Sequence, residues 1–206
     1  GTIQQSGDFI NIVAAANFNN LATGIWNWNF VQAAFDAQMT SALDCSVSGN
    51  TFNYGAAGNQ NIVAVSYHHL TLSNSGTKVT TANLDVNGNL LISGTARLDP
   101  NTGNDNITLA GNWTVTSTNA DPFDEGTELV TLDGTLTAQA ISTVLAGGET
   151  FYNLTTNNTF PTAPQITLSS NISAANILTM TSGIINLNGL TLSITSNAAG
   201  SLVYTA

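Results

Sequence analysis

Positive charge is almost missing from this chain. Lys78 and Arg97 are its two basic residues, against 12 acidic ones, and the formal net charge is −10. Nucleic-acid binding needs a basic face that displaces counterions, and two cations cannot build one. Anionic membrane surfaces are disfavoured for the same reason. Charged residues of both signs make up 7% of the chain, against roughly 25% in an ordinary soluble domain. Solubility must therefore come from hydroxyls, amides and carboxylates. Cysteine is represented once, by Cys45, so an intrachain disulfide is excluded and a small buried residue is expected there. No apolar run approaches the ~20 residues of a membrane span, so membrane insertion is not expected. No secretory leader is recognisable and position 1 is Gly, as in a mature form or an excised fragment.

What the chain has instead is alternation. From about Asn50 onward apolar and polar residues follow each other with period two. Leu84-Asp85-Val86-Asn87-Gly88-Asn89-Leu90-Leu91-Ile92 is the clearest run. Asn106–Leu109, Trp113–Val115, Leu129–Leu132 and Leu190–Ile194 repeat the pattern. Such Thr-rich and β-branched pieces, separated by Gly, Asn, Asp and Ser, predict short strands. Asn tolerates left-handed backbone and stacks into hydrogen-bonded ladders, so its abundance predicts corners between stacked coils.

A longer self-similarity is also present. Tyr67–Asn74 is answered by Phe151–Asn158, Asn83–Val86 by Asn171–Ala174, Leu90–Gly94 by Leu178–Gly183, and Ile107–Leu109 by Leu190–Leu192. A unit of roughly 85 residues is too long for one coil, so each unit is read as several coils. The expected division is a divergent N-terminal section or cap over 1–48, a first repeat over 49–120 and a second over 121–206. The Ala- and Gln-rich stretch Phe30–Leu43 fits a short helix or an irregular insertion, and the protected end that a solenoid needs is one role for it.

Several stretches bear on kinship: Phe52-Asn53-Tyr54-Gly55-Ala56-Ala57-Gly58-Asn59-Gln60-Asn61-Ile62, then Tyr67–Lys78 with its Leu70-Thr71-Leu72-Ser73-Asn74-Ser75-Gly76-Thr77-Lys78, then Leu84–Leu90, and finally Ser182–Leu192. Over residues 48–196 this pattern resembles the Thr/Asn/Gly-rich repeat regions of large Bacteroidetes-type secreted cell-surface proteins. The resemblance implies a β-solenoid, an extracellular or surface location in a bacterium, and a stalk, fibre or adhesin role. It implies no catalytic residue.

The residues offer few sites of their own. Glycoside hydrolysis needs two carboxylates facing each other across a bond. Asp121, Asp124, Glu125 and Glu128 cluster in a Pro/Gly loop, which is not such a pair, and lyase chemistry has only Lys78 and Arg97 to draw on, so no enzyme is expected. The loop Asp99-Pro100-Asn101-Thr102-Gly103-Asn104-Asp105 spaces oxygen ligands around a Gly, as calcium loops do, although the terminal bidentate Glu is lacking. Asp99, Asn101, Asn104 and Asp105 are the candidate calcium ligands, and no other cofactor is expected. His68 and His69 are adjacent; on a strand they would face opposite ways and could not easily share an ion, so a surface or stacking role is expected for both. Trp26 and Trp28 share one strand face and are candidates for stacking on carbohydrate, though filling the interior is the commoner use of such a pair.

The expectation is an all-β, right-handed parallel β-helix, with tandem β-sandwich domains as the alternative fold. The expected function is a non-catalytic stalk, fibre or adhesin segment that joins end to end with itself or adjoining segments. A module that binds surface glycans is the alternative.

Overall fold

The computed structural model describes residues 2–5, 18–19, 24–29, 43–100 and 104–205. Their strands are parallel throughout, and each pairs with a strand one coil away. The longest sheet has nine strands: Thr2–Gln5, Ile25–Trp28, Thr51–Tyr54, His69–Leu72, Leu90–Ile92, Trp113–Val115, Gln139–Thr143, Ile166–Leu168 and Ile185–Asn186. A second sheet of eight runs from Ser66–Tyr67 through Leu84–Val86, Ile107–Leu109, Leu129–Leu132, Glu149–Asn157 and Ile172–Ser182. It ends on Leu192–Ile194 and Leu202–Tyr204. A third, of three strands, joins Gln60–Ile62, Ser75–Thr80 and Thr95–Asp99. Between residues 66 and 99 the chain visits the second, first and third sheets in turn, twice over. This is a β-solenoid. Parallel pairing with the next coil excludes the sandwich alternative, whose neighbouring strands run antiparallel.

Strand pairing in register turns period-two sequence into columns. Trp26, Phe52, Leu70, Leu90, Trp113, Ile141 and Leu168 form one inward column of the first sheet. Leu84, Ile107, Val130, Leu154 and Leu178 form one of the second. All of these side chains are buried. Thr108, Thr131, Thr155 and Thr179 stack on the outer face of that second sheet, where β-branched residues fit a pleated surface. The aromatic residues interlock between coils, with ring centroids 5.1 Å apart for Trp26–Phe52 and for Trp113–Phe151. Cys45 is buried and free. Tyr54 and Tyr67 join hydroxyl to hydroxyl at 2.7 Å beside it.

The strands sharpen the sequence reading at several points. The run Leu84–Ile92 is two strands in different sheets, because Asn87-Gly88-Asn89 turns a corner inside it. The long repeat does not superpose coils: Leu70–Leu72 lies in the first sheet and its counterpart Leu154–Thr156 in the second. Both sheets demand the same inward-outward alternation, so similarity of strand sequence does not distinguish them. Finally, of the helix expected over 30–43, Phe30–Ala42 lies outside the described residues, while Leu43 belongs to a strand, Leu43–Asp44, paired with Phe18–Asn19. Continuous pairing crosses both expected boundaries, through Ile25–Trp28 with Thr51–Tyr54 and through Trp113–Val115 with Ile141–Thr143.

Candidate functional site

Surface relief is marked at the corner that leads from the second sheet into the first. A groove of about 560 Å³ crosses several coils there, lined by His68, His69, Asn87, Asn112, Thr135 and Leu136 among others. Its floor is backbone. A Cβ on Gly88 would stand 2.6 Å from the carbonyl oxygen of His68, and one on Gly111 would press into the Gly88 peptide. These two corner positions therefore exclude side chains, and Gly111 N–H bonds Gly88 O at 2.9 Å. A shallower depression of about 330 Å³ lies on the other side of His69, Asn89 and Asn112, which border both.

Those three side chains form a ladder from coil to coil. Nδ1 of His69 accepts the N–H of Asn89 at 2.9 Å. Oδ1 of Asn89 accepts the N–H of Asn112 at 2.9 Å, and Oδ1 of Asn112 accepts the N–H of Ala140 at 2.7 Å. A parallel ladder precedes the second sheet, where Asn83 and Asn106 accept the N–H groups of Asn106 and Leu129. The stacked asparagines expected from composition are thus present, and they bond backbone as well as each other, as in Asn53 to Asn27 at 2.8 Å.

His68 and His69 lie at the surface and stack, as expected, but they do not face opposite ways. Their rings touch edge to face with centroids 4.2 Å apart, and both line the groove. Alternation fails because the strand Ser66–Tyr67 ends before His68 and the next begins at His69, so the two residues straddle a bend. Burial lowers the pKa of both, and His68 lowers that of His69 further by repulsion. Nδ1 of His68 is buried without a hydrogen bond, while Nε2 lies 3.3 Å from Ser48 Oγ.

The other sequence candidates are placed as follows. Trp26 and Trp28 are inside the coil, at 0% and 2% exposure, so neither ring offers a face to a sugar. Inward-facing columns decide this, since residues of one strand face share one side of the sheet. Of the candidate calcium ligands, Asn101 lies outside the described residues. Asp105 is turned inward and accepts Thr80 Oγ1 at 2.7 Å. Asn104, at φ 51°, accepts Thr127 Oγ1 at 2.8 Å. Asp99 closes its strand. Among the described residues no three His, Cys, Asp or Glu side chains come together as a metal would need.

The acidic loop is organised by Arg97, whose guanidinium contacts Asp121 at 2.8 Å and Asp124 at 2.6 Å. Glu128 is buried and neither of its carboxylate oxygens is hydrogen-bonded. Burial, and then the charges of Asp124, Asp99 and Glu125, push its pKa up. Glu149 is also buried, and its carboxyl is pushed up to about 7 by desolvation, against a 3.3 Å bond from Trp113 Nε1. Interior amides close two further networks. Gln60 and Lys78 bond the Trp28, Ala56 and Gly58 carbonyls, and Gln139 joins Leu109 O, Gly111 O, Gly134 N and Asn158.

Single residues give no sign of the His69, Asn89 and Asn112 ladder. Its signal is Gly88-Asn89-Leu90 recurring as Gly111-Asn112-Trp113, one coil later, with the Gly at the corner and the Asn before the strand. Comparison with protein-family models, with curated proteins and with solved structures finds no match.

Proposed function

We propose that this chain is a non-catalytic structural segment of an extracellular or cell-surface bacterial protein, a rod serving as stalk, fibre or adhesin section. The observation that carries the reading is the filled interior. Inward columns are packed with Trp, Phe, Leu, Ile and Val in register from Trp26 to Leu178, which favours stiffness over a substrate cavity. The buried carboxylates Glu128 and Glu149 lie inside this stack, where a reacting bond has no access. The resemblance of residues 48–196 to secreted repeat regions supports the extracellular placement.

End-to-end joining belongs to the same proposal. Leu202 and Tyr204 continue the columns of Leu178 and Met180 yet are 56% and 72% exposed. A further coil, from an adjoining segment or a second copy, fits there, since an edge strand offers unpaired backbone groups. Negative-stain electron microscopy of the purified chain tests the rod, which should lengthen by ~4.8 Å per coil. A globular outline would overturn the reading. Concentration-dependent sedimentation tests self-joining: the chain should lengthen with concentration and Leu202→Lys should not, whereas identical behaviour of the two would remove self-joining from the proposal.

A further inference from the structure

Every side-chain acceptor in the ridge of His69, Asn89 and Asn112 is engaged by backbone. His69 Nδ1, Asn89 Oδ1 and Asn112 Oδ1 each take a backbone N–H of the next coil. An imidazole that accepts at Nδ1 carries its proton on Nε2, and an amide that accepts at Oδ1 keeps both Nδ2 protons. The ridge therefore presents three donors in a row, one per coil, about 4.8 Å apart. The atoms are held in place by the fold itself, because releasing one would orphan a backbone N–H.

The surroundings select what the donors meet. Neither groove is lined by Asp, Glu, Lys or Arg, although the chain carries −10 overall. A cation finds no carboxylate there, and an anion finds no counter-charge and an opposing field. A peptide added as a strand needs a free sheet edge, but the strands flanking this ridge are paired on both sides. What remains is an uncharged chain rich in oxygen acceptors. Ser48, Thr135 and Thr137 add hydroxyls at the groove wall, and Leu136, at 85% exposure, adds an apolar contact suited to the C–H face of a ring. The glycine floor lets such a chain lie against backbone.

We infer that this ridge and its two grooves bind a neutral oligosaccharide running along the coil axis, with His69 Nε2, Asn89 Nδ2 and Asn112 Nδ2 donating to successive sugar residues. The spacing of coils is close to the length of one pyranose unit, so neighbouring donors reach neighbouring rings. The site is distinct from Trp26 and Trp28 and does not depend on the rod being part of a larger fibre.

The test is nuclear magnetic resonance titration of the whole chain with neutral gluco-, xylo- and manno-hexasaccharides, their disaccharides, and an acidic oligogalacturonate. At least one neutral hexasaccharide should shift the side-chain signals of His69, Asn89 and Asn112 together and bind more tightly than its disaccharide. Asn89→Asp with Asn112→Asp keeps each oxygen that caps the next coil and removes two of the three donors, so affinity should fall by about tenfold or more. Ala138→Arg, at an exposed groove position, should block binding without touching the ladder and serves if the double variant does not fold. Absence of any shift with the neutral hexasaccharides, preference for the acidic one, or unchanged affinity in the folded variants would overturn the inference.

Discussion

Lys78 and Gln60 are register partners in the third sheet, and the ammonium of one lies 2.8 Å from Oε1 of the other inside the coil stack. Carbonyls of Ala56 and Gly58, each at 2.9 Å, complete the three acceptors that an ammonium can use. Desolvation still pulls the pKa of Lys78 down to about 8 from 10.5. Between those values the unfolded chain holds a proton that the folded chain has released, so stability rises with pH across the window and is lost again as pH falls through 8. Denaturant titrations at several pH values should show this rise, with a slope of up to ~1.4 kcal/mol per pH unit from this residue. Lys78→Met should flatten it, and an unchanged slope in that variant would show that another group is responsible.

Glu149 acts in the opposite sense at lower pH. Its carboxyl is raised to about 7 from 4.5 by burial, so the folded state keeps a proton that the unfolded state has lost. The stability due to this group is complete below pH 4.5 and disappears as pH rises through 7. Glu149→Gln keeps an acceptor for Trp113 Nε1 and removes the titration. The variant should match the parent in melting temperature near pH 4.5 and exceed it at pH 8, as calorimetry at the two values can establish.

Leu90 and Leu109 are fully buried in different sheets. Leu90→Asp or Leu109→Asp would place an unpaired carboxylate between coils and should cost more than ~4 kcal/mol. Loss of the cooperative circular-dichroism transition is the expected result. Leu90→Ala creates only a cavity and should cost about 2–5 kcal/mol, which ranks the three variants.

Gly111→Ala should also destabilise, though nothing apolar is removed. The new methyl would meet the Gly88 peptide directly beneath it. Overpacking of this kind costs about 1–3 kcal/mol, and the Gly111 N–H bond to Gly88 O would lengthen first. Amide hydrogen exchange at Gly111 should accelerate in the variant while exchange at Ile172, several coils away, stays as it was.

Fold class was legible because alternation and corner residues are local. Leu84-Asp85-Val86 and Leu90-Leu91-Ile92 each announce a strand, and Asn89 announces a corner. Which strands share a sheet was not legible, since Leu70-Thr71-Leu72 and Leu154-Thr155-Thr156 satisfy the same pattern on different faces. The burial of Trp26 and Trp28 follows from alternation. The groove was hidden for another reason. Ser48, His68, Gly88, Gly111 and Thr135 are distant in sequence and become neighbours only through coil register, while the alternation across His68 and His69 is broken by a corner that their sequence does not mark. The orphaned carboxylate of Glu128 is likewise a property of stacking, invisible in a loop read alone.

Register, not loop length, aligns one coil with the next. Coils of the first sheet differ in length, the shortest running from Phe52 to Leu70 and the longest from Trp113 to Ile141, yet partner residues still stand one above another. Such a chain can be lengthened or shortened by whole turns without redesign. Excising residues 90–112 would set Trp113 on Leu70 and Val130 on Leu84, apolar on apolar in both sheets. A shortened protein that keeps its cooperative melting transition is the expected outcome, and it would make duplication and loss of single coils a ready route by which lineages adjust the reach of such a molecule.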